Sequence, residues 1–387
     1  MTSSTLPEFS PEFGLLLACA LHPLQRTEIS SLQSACRREI NWQGFSALVG
    51  RHRLLPTIYS NLSRHAASAV PQPVLTELKA QAGLNRQRVL QNLAVLRRIS
   101  QWFAQENIPL CTLKGPLLSL RLFGDVALRT SADLDLLVES NDLAQADALL
   151  LSHGCRRVLP DVSLKPRQWH AFQRQWYNST YLFPRPQMTV ELHWAIASPD
   201  LISSEVMAQV LARARPVNDS DSLLALADED LPVSLLAHGA KHNWARLKWL
   251  VDFVIWIRGD QNPDWTALQS HMATLGLERI LGQGLLLAHW LFNCSIPVEL
   301  EPLLASEPAA RRLALRSLQA ILDPNFAGIE TDTRDKIRLT LYRLQLKGSL
   351  RYKLATLIRL VRPWLWMRSY YLRLHRDKLA ATPHRLE

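Results

Sequence analysis

"ALRTSADLDLLVES" (residues 127–140) decides how this chain is read. Two aspartates, Asp133 and Asp135, sit one residue apart inside an apolar run. The run suits a buried strand, yet aspartate is depleted in strands and costly to bury unpaired. Side chains alternate faces along a strand, so Asp133 and Asp135 point one way. Leu134, Leu136 and Val138 point the other way, into a core. Two carboxylates on one face make a site for a hard divalent cation, which offsets their desolvation and mutual repulsion.

A third acid has the same texture. Glu191 lies in "TVELHW", flanked by Val190 and Leu192, and faces opposite to them. If its strand lies beside the first, three carboxylates converge. Metals held that way clamp the attacking and leaving oxygens of a phosphoryl or nucleotidyl transfer. His193, two residues on, shares the Glu191 face. Upstream, "TLKGPLLSL" puts Gly115 at a strand-to-helix turn, where backbone N–H groups can approach a phosphate. Lys114 adds a positive charge there.

The surrounding pattern predicts an α/β unit. A short apolar run ends at Gly115, and a helix follows with proline in its first turn. The "DLDLLV" strand, a helix over 141–154 and a "CRRVL" strand come next. "NSTYLFP" and "QMTVELHWAI" read as two strands joined through "PRP". The first hundred residues read as helices, with a sustained apolar stripe over 75–107. Residues 231–259 read as one long helical stretch. The expected organisation is a helical region over 1–105, an α/β core over 106–200, a helical domain over 201–333 and a basic helical tail over 334–387. The fold class is α/β (α+β): a small mixed sheet embedded in a mostly helical protein.

The chain has 387 residues and a net charge of +10, and that charge is uneven. Residues 334–387 hold 14 Lys/Arg against 3 Asp/Glu, whereas the remainder holds 30 against 31. The tail mixes Arg with Leu, Trp and Tyr. It suits packing on the body, an anionic membrane surface or, less well, nucleic acid. Five scattered cysteines show no zinc or redox spacing and read as reduced thiols. The first residues carry no basic stretch ahead of an apolar one, and no run reaches the ~20 residues of a spanning helix. The expected location is cytoplasmic, with peripheral association at the inner membrane face.

In "HGAKHNWARLKWLVD", His238 and His242 lie one helical turn apart, with Lys241 beside them. They suit phosphate contact from a second domain, or ordinary packing; a zinc site lacks a third ligand. Lys248 and Asp252 are spaced to pair on the helix. Arg129 and Ser131 suit either a loop role or substrate contact.

"LKGPLL", "LFGDVALRTSADLDLLV", "VELHW" and "LLAHGAKHNWARLKWLVD", in that order, resemble the bacterial family of uncharacterised nucleotidyltransferase-like proteins. That family belongs to the nucleotidyltransferase (DNA polymerase beta-like) superfamily. The resemblance covers roughly 90–260. It implies metal ligation by Asp133, Asp135 and Glu191, with Glu191 activating the acceptor. It implies nucleotide or phosphate contacts from Lys114, Gly115, Arg129, Ser131, His238, Lys241 and His242. The cofactor it implies is Mg²⁺, with Mn²⁺ as a substitute, and an NTP is the substrate. The acceptor is a small molecule, sugar, peptide or protein. Gly115-Pro116 stands where the superfamily usually has Gly-Ser or Gly-Gly. Two other readings stay open: a catalytically degenerate nucleotide-binding module, and a metal-dependent glycosyltransferase using a nucleotide sugar.

Overall fold

The computed structural model describes residues 7–161, 166–217, 222–259, 263–326, 328 and 333–366. The strands are β1 (Leu110–Thr112), β2 (Asp133–Leu137), β3 (Arg156–Leu159), β4 (Asn178–Phe183), β5 (Met188–His193), β6 (Arg215–Pro216) and β7 (Leu223–Ala225). They form one sheet in the order β3-β4-β5-β2-β1-β7-β6. The β4–β5 hairpin is antiparallel, as its sequence implies. β5 then runs parallel to β2, which pairs antiparallel with β1. The α/β (α+β) reading is correct, but the sheet runs past residue 200. β7 extends it parallel to β1, and β6 closes the edge.

The sheet separates two cores. On one face Leu134, Leu136, Val190, Leu192, Tyr181 and Phe183 are fully buried. They pack against Val95, Ile99 and Phe103 of the long helix Gln72–Gln105 and against the helix Leu143–Ser152. Each fully buried aliphatic side chain contributes about 1.5–3 kcal/mol. This apolar face is why β2 forms despite its aspartates. The helix Pro166–Gln175, which follows β3, adds the buried Phe172 to the same core.

The other face looks toward the helical body. There a larger core joins the N-terminal helices to residues 231–352. The stretch expected as one helix over 231–259 is two, Asp230–Lys241 and Leu247–Ile257. The break falls at Asn243 and Trp244, whose φ values are 53° and 51°. Trp244 folds back and buries its indole completely over Gly239, where a Cβ would lie 2.4 Å from the ring. The dense packing of that indole offsets the strain of two left-handed residues.

The C-terminal segment is integral in part. The helix Thr333–Arg343 buries Leu339 and Tyr342, and the Tyr342 hydroxyl bonds Gln283. The helix Leu350–Trp366 follows. The rest of the basic tail, 367–387, lies outside the described residues. Among the described residues no helix is long and apolar enough to cross a membrane. The five cysteines are free, and four of them are buried.

Candidate active site

The register of β2 and β5 builds the site. Asp135 stands opposite Glu191, and Leu137 opposite His193, so these residues share one face. On β4, Asn178 pairs with His193 and Thr180 with Glu191, which brings β4 onto the same face. The result is a cluster of Asp135, Glu191 and His193 with ligand atoms within 4.8 Å of one another. His193 Nε2 lies 3.1 Å from Asp135 Oδ1 and 3.3 Å from Glu191 Oε2. Asn178 Nδ2 donates to Glu191 Oε2 at 2.9 Å. Asp135 and His193 are buried; the Glu191 side chain keeps 30% of its surface exposed.

The electrostatics follow from that geometry. Burial pushes the Asp135 carboxyl up, but the Lys114 ammonium and the His193 imidazole outweigh it and hold the group below its ordinary value. Burial likewise pushes the Glu191 carboxyl up, but its bond to the His193 imidazole outweighs that and holds the group below its ordinary value. His193 is pushed down by burial and carried up to about 9 by its bonds to Asp135 and Glu191. Asp133 is raised, first by burial and then by the Asp135 charge. It shares the face but lies outside the three-ligand cluster, and His193 stands in its place there.

β1 leads into the glycine turn. Gly115 has φ 85° and ψ −151°, a conformation that only glycine adopts without strain, and it caps the helix Pro116–Phe123. Pro116 has no N–H, so this helix start offers one donor fewer than a serine would. Lys114 Nζ sits 3.8 Å from Asp135 Oδ1 and donates to His238 Nδ1 at 2.9 Å. Sheet order therefore puts the glycine turn on one side of the carboxylates and β4 on the other.

The remaining expected residues divide. Burial and the neighbouring Lys114 charge hold His238 neutral, well below its ordinary value. His242, held neutral by burial and Lys241, donates Nδ1–H to the Gly328 carbonyl at 2.7 Å and stacks on Trp249. The Lys241 ammonium donates to the Tyr177 hydroxyl and lies 4.8 Å from the ring centroid. Arg129 is buried and grips Asp252, with Nε 2.9 and 3.0 Å from its two oxygens and Nη2 at 2.9 Å. Ser131 Oγ donates to the Asp133 carbonyl at 3.1 Å. Lys248 does not pair with Asp252; it donates to the Thr130 carbonyl at 2.8 Å. Arg129, Ser131 and Lys248 thus all hold the loop that enters β2.

Tyr177 and Asn178 were not singled out by the sequence pattern. The available signal was alternation: Asn178 and Thr180 share a face two residues apart, but neither carries a charge to mark it.

The donor set fits a divalent cation. Two carboxylates and an imidazole converge, and the oxygen donors suit Mg²⁺ or Mn²⁺. His193 Nδ1 is buried with no hydrogen-bond partner, so the imidazole has a second ring nitrogen not committed to the protein. A glycine turn on one strand, acids on the next two and a mixed sheet define a nucleotidyltransferase-like protein. The chain belongs to the family described as uncharacterised nucleotidyltransferases, whose model matches residues 38–293. No curated protein and no solved structure matches it.

Proposed function

We propose that the protein transfers a nucleoside monophosphate from an NTP to a hydroxyl or phosphate acceptor and releases pyrophosphate. The observation that carries this reading is the register of Asp135 opposite Glu191, with the Gly115 turn one strand away. Asp135 and Glu191, with Asp133 and His193 beside them, would hold Mg²⁺ or Mn²⁺. A cation bound there supplies Lewis-acid polarisation of the phosphoryl oxygens and charge neutralisation. Gly115 N–H and the Lys114 ammonium face the polyphosphate, with His238 fixing the Lys114 side chain. Glu191, ionised and steadied by Asn178, takes the proton of the incoming hydroxyl as its oxygen bonds to the α-phosphorus. Arg129 and Ser131 act at one remove, holding the strand entrance, and His242 packs behind Lys241.

Family membership favours nucleotidyl over glycosyl transfer. A specific observation supports the degenerate module as a second reading. His193 and Lys114 already neutralise Asp135, and Pro116 removes a donor from the phosphate turn. Mass spectrometry of a lysate incubated with the protein and labelled ATP, GTP, CTP or UTP separates the two. A labelled adduct that requires Mg²⁺ supports transfer; Mg-NTP binding without any adduct supports the binding module.

The basic C-terminal segment is proposed to rest on an anionic membrane. Along the helix Leu350–Trp366, Leu350, Leu354, Leu357 and Ile358 are exposed on one face, while Tyr352 and Thr356 are buried on the other. Arg351 and Lys353 accompany the exposed face. That pairing of apolar and cationic side chains is the pattern of an interfacial helix.

A further inference from the structure

Beyond Glu191, on the side away from the glycine turn, the carboxylate face opens into a cleft of about 190 Å³. Tyr177 and Asn178 line its inner end and connect it to the carboxylates: Asn178 bonds Glu191, and the Tyr177 ring centroid lies 5.8 Å from that of His193. Its walls carry Lys241, Arg343 and Arg359 against one carboxylate, Asp200. Arg359 Nε is 2.9 Å from Asp200 Oδ1, so that pair balances itself. Arg343 Nε donates to the Lys241 carbonyl at 3.1 Å, which ties the two side chains' positions together. Among the described residues Lys241 has no carboxylate within 4.0 Å; its ammonium meets only the Tyr177 hydroxyl and ring.

The face is therefore polarised. Acids occupy its centre, and a small cationic cleft flanks them on the β4 side. A polyphosphate belongs on the β1 side, at Lys114 and Gly115. The β4 side is left for the other substrate, beside the carboxylate that takes its proton. A half-enclosed site holding the Lys241 ammonium, with no described carboxylate beside it, selects an anion, and a neutral ligand would leave Lys241 desolvated without compensation.

We propose that this cleft is the acceptor subsite, and that the acceptor is a small molecule bearing a phosphate or carboxylate at the end remote from its reacting hydroxyl. The acceptor role rests on the nucleotidyl transfer proposed above; the anion preference rests on the cleft alone. The volume suits one such group with a few attached carbons.

The test uses the full chain and two probes, inorganic phosphate and succinate, titrated separately by calorimetry. Each titration is run with and without saturating Mg²⁺ and an α,β-methylene NTP analogue. Expected is saturable binding of one of the two anions that persists with the analogue bound. Phosphate binding alone marks a phosphorylated acceptor, and succinate binding alone a carboxylated one. Lys241→Gln should weaken that binding at least tenfold, Lys241→Arg should restore it, and the analogue's affinity should stay within twofold throughout. Arg343→Gln gives an independent reading with the same expected loss if Lys241→Gln lowers the melting temperature. Saturation by neither anion, saturation only without the analogue, or undiminished binding in both variants would overturn the proposal. A wild type that binds the anion but no Mg-analogue contradicts the transferase reading and leaves the anion site standing, so the two failures are distinguishable.

Discussion

Asp252→Asn is expected to destabilise the protein by about 3–5 kcal/mol, the usual cost of removing one partner from a buried ion pair. The Arg129 and Asp252 side chains retain only 6% and 3% of their surface. Three N–H···O contacts of 2.9–3.0 Å join them. The amide keeps the volume of the carboxylate but leaves the buried guanidinium without its bonded counter-charge. Burial lowers the Arg129 pKa and the Asp252 charge more than reverses that, with smaller help from Asp135 and Asp133, so Asp252 is the main counter-charge of the cation. Urea unfolding followed by circular dichroism should show a lower midpoint with an unchanged slope. The double variant Arg129→Met/Asp252→Leu removes both charges and should lose much less than the sum of the single changes. Because the pair fixes the loop entering β2 to the helix Leu247–Ile257, Asp252→Asn should also weaken Mg-NTP binding. A loss under about 1 kcal/mol would refute the reasoning, since exposed pairs are worth that little.

Glu191→Gln should cut turnover by ~10²–10⁴, the range for general base catalysis, while moving nucleotide affinity far less; single-turnover kinetics beside calorimetry reads both. Gly115→Ala should cost about 1–3 kcal/mol, because φ 85° with ψ −151° is open to glycine alone; a thermal melt equal to wild type would dismiss that strain. His193 has its pKa raised to about 9 in the folded state. Its stabilisation is therefore complete below the unfolded value of about 6.5 and fades as pH climbs toward 9. Lys248, lowered to about 7 by burial and Arg129, runs the opposite way, so the readout is wild type minus His193→Gln across pH 6–9.5 in metal-free buffer. A difference that does not shrink with pH would contradict the assignment. Leu354→Glu/Leu357→Glu should abolish co-sedimentation with anionic liposomes at low salt and leave the melt unchanged; binding equal to wild type would remove the membrane proposal.

Much of the sheet was legible because period-two alternation is a strong local signal. The β4–β5 hairpin and the two-faced character of β2 follow from it directly. Residues 231–259 show where local signals stop. Their composition is helical throughout, and only the packing of Trp244 over Gly239 splits them. The Lys248–Asp252 spacing is a sound intrahelical pair, yet a bidentate Arg129 from a distant loop is the better partner for a buried carboxylate. β6 and β7 are too short to carry a pattern, and they find their place only by adding to the β1 edge. The cationic cleft draws on residues 176 through 359, a convergence that no window of sequence contains. His193 could be placed on the Glu191 face from sequence; its position between two carboxylates depended on the pairing of β2 with β5.

Calorimetric titration of Mg-NTP into wild type and Asp135→Asn tests the carboxylate site most directly. Asp135 is the acid that touches both Lys114 and His193, so it joins the glycine-turn side to the β5 side. The expected result is saturable binding of at least one of the four NTPs, abolished by chelating the metal. The same binding should be absent from Asp135→Asn while its circular-dichroism spectrum below the melting transition stays native. Equal NTP affinity in both proteins, or affinity indifferent to Mg²⁺, would contradict a metal-nucleotide site on this face.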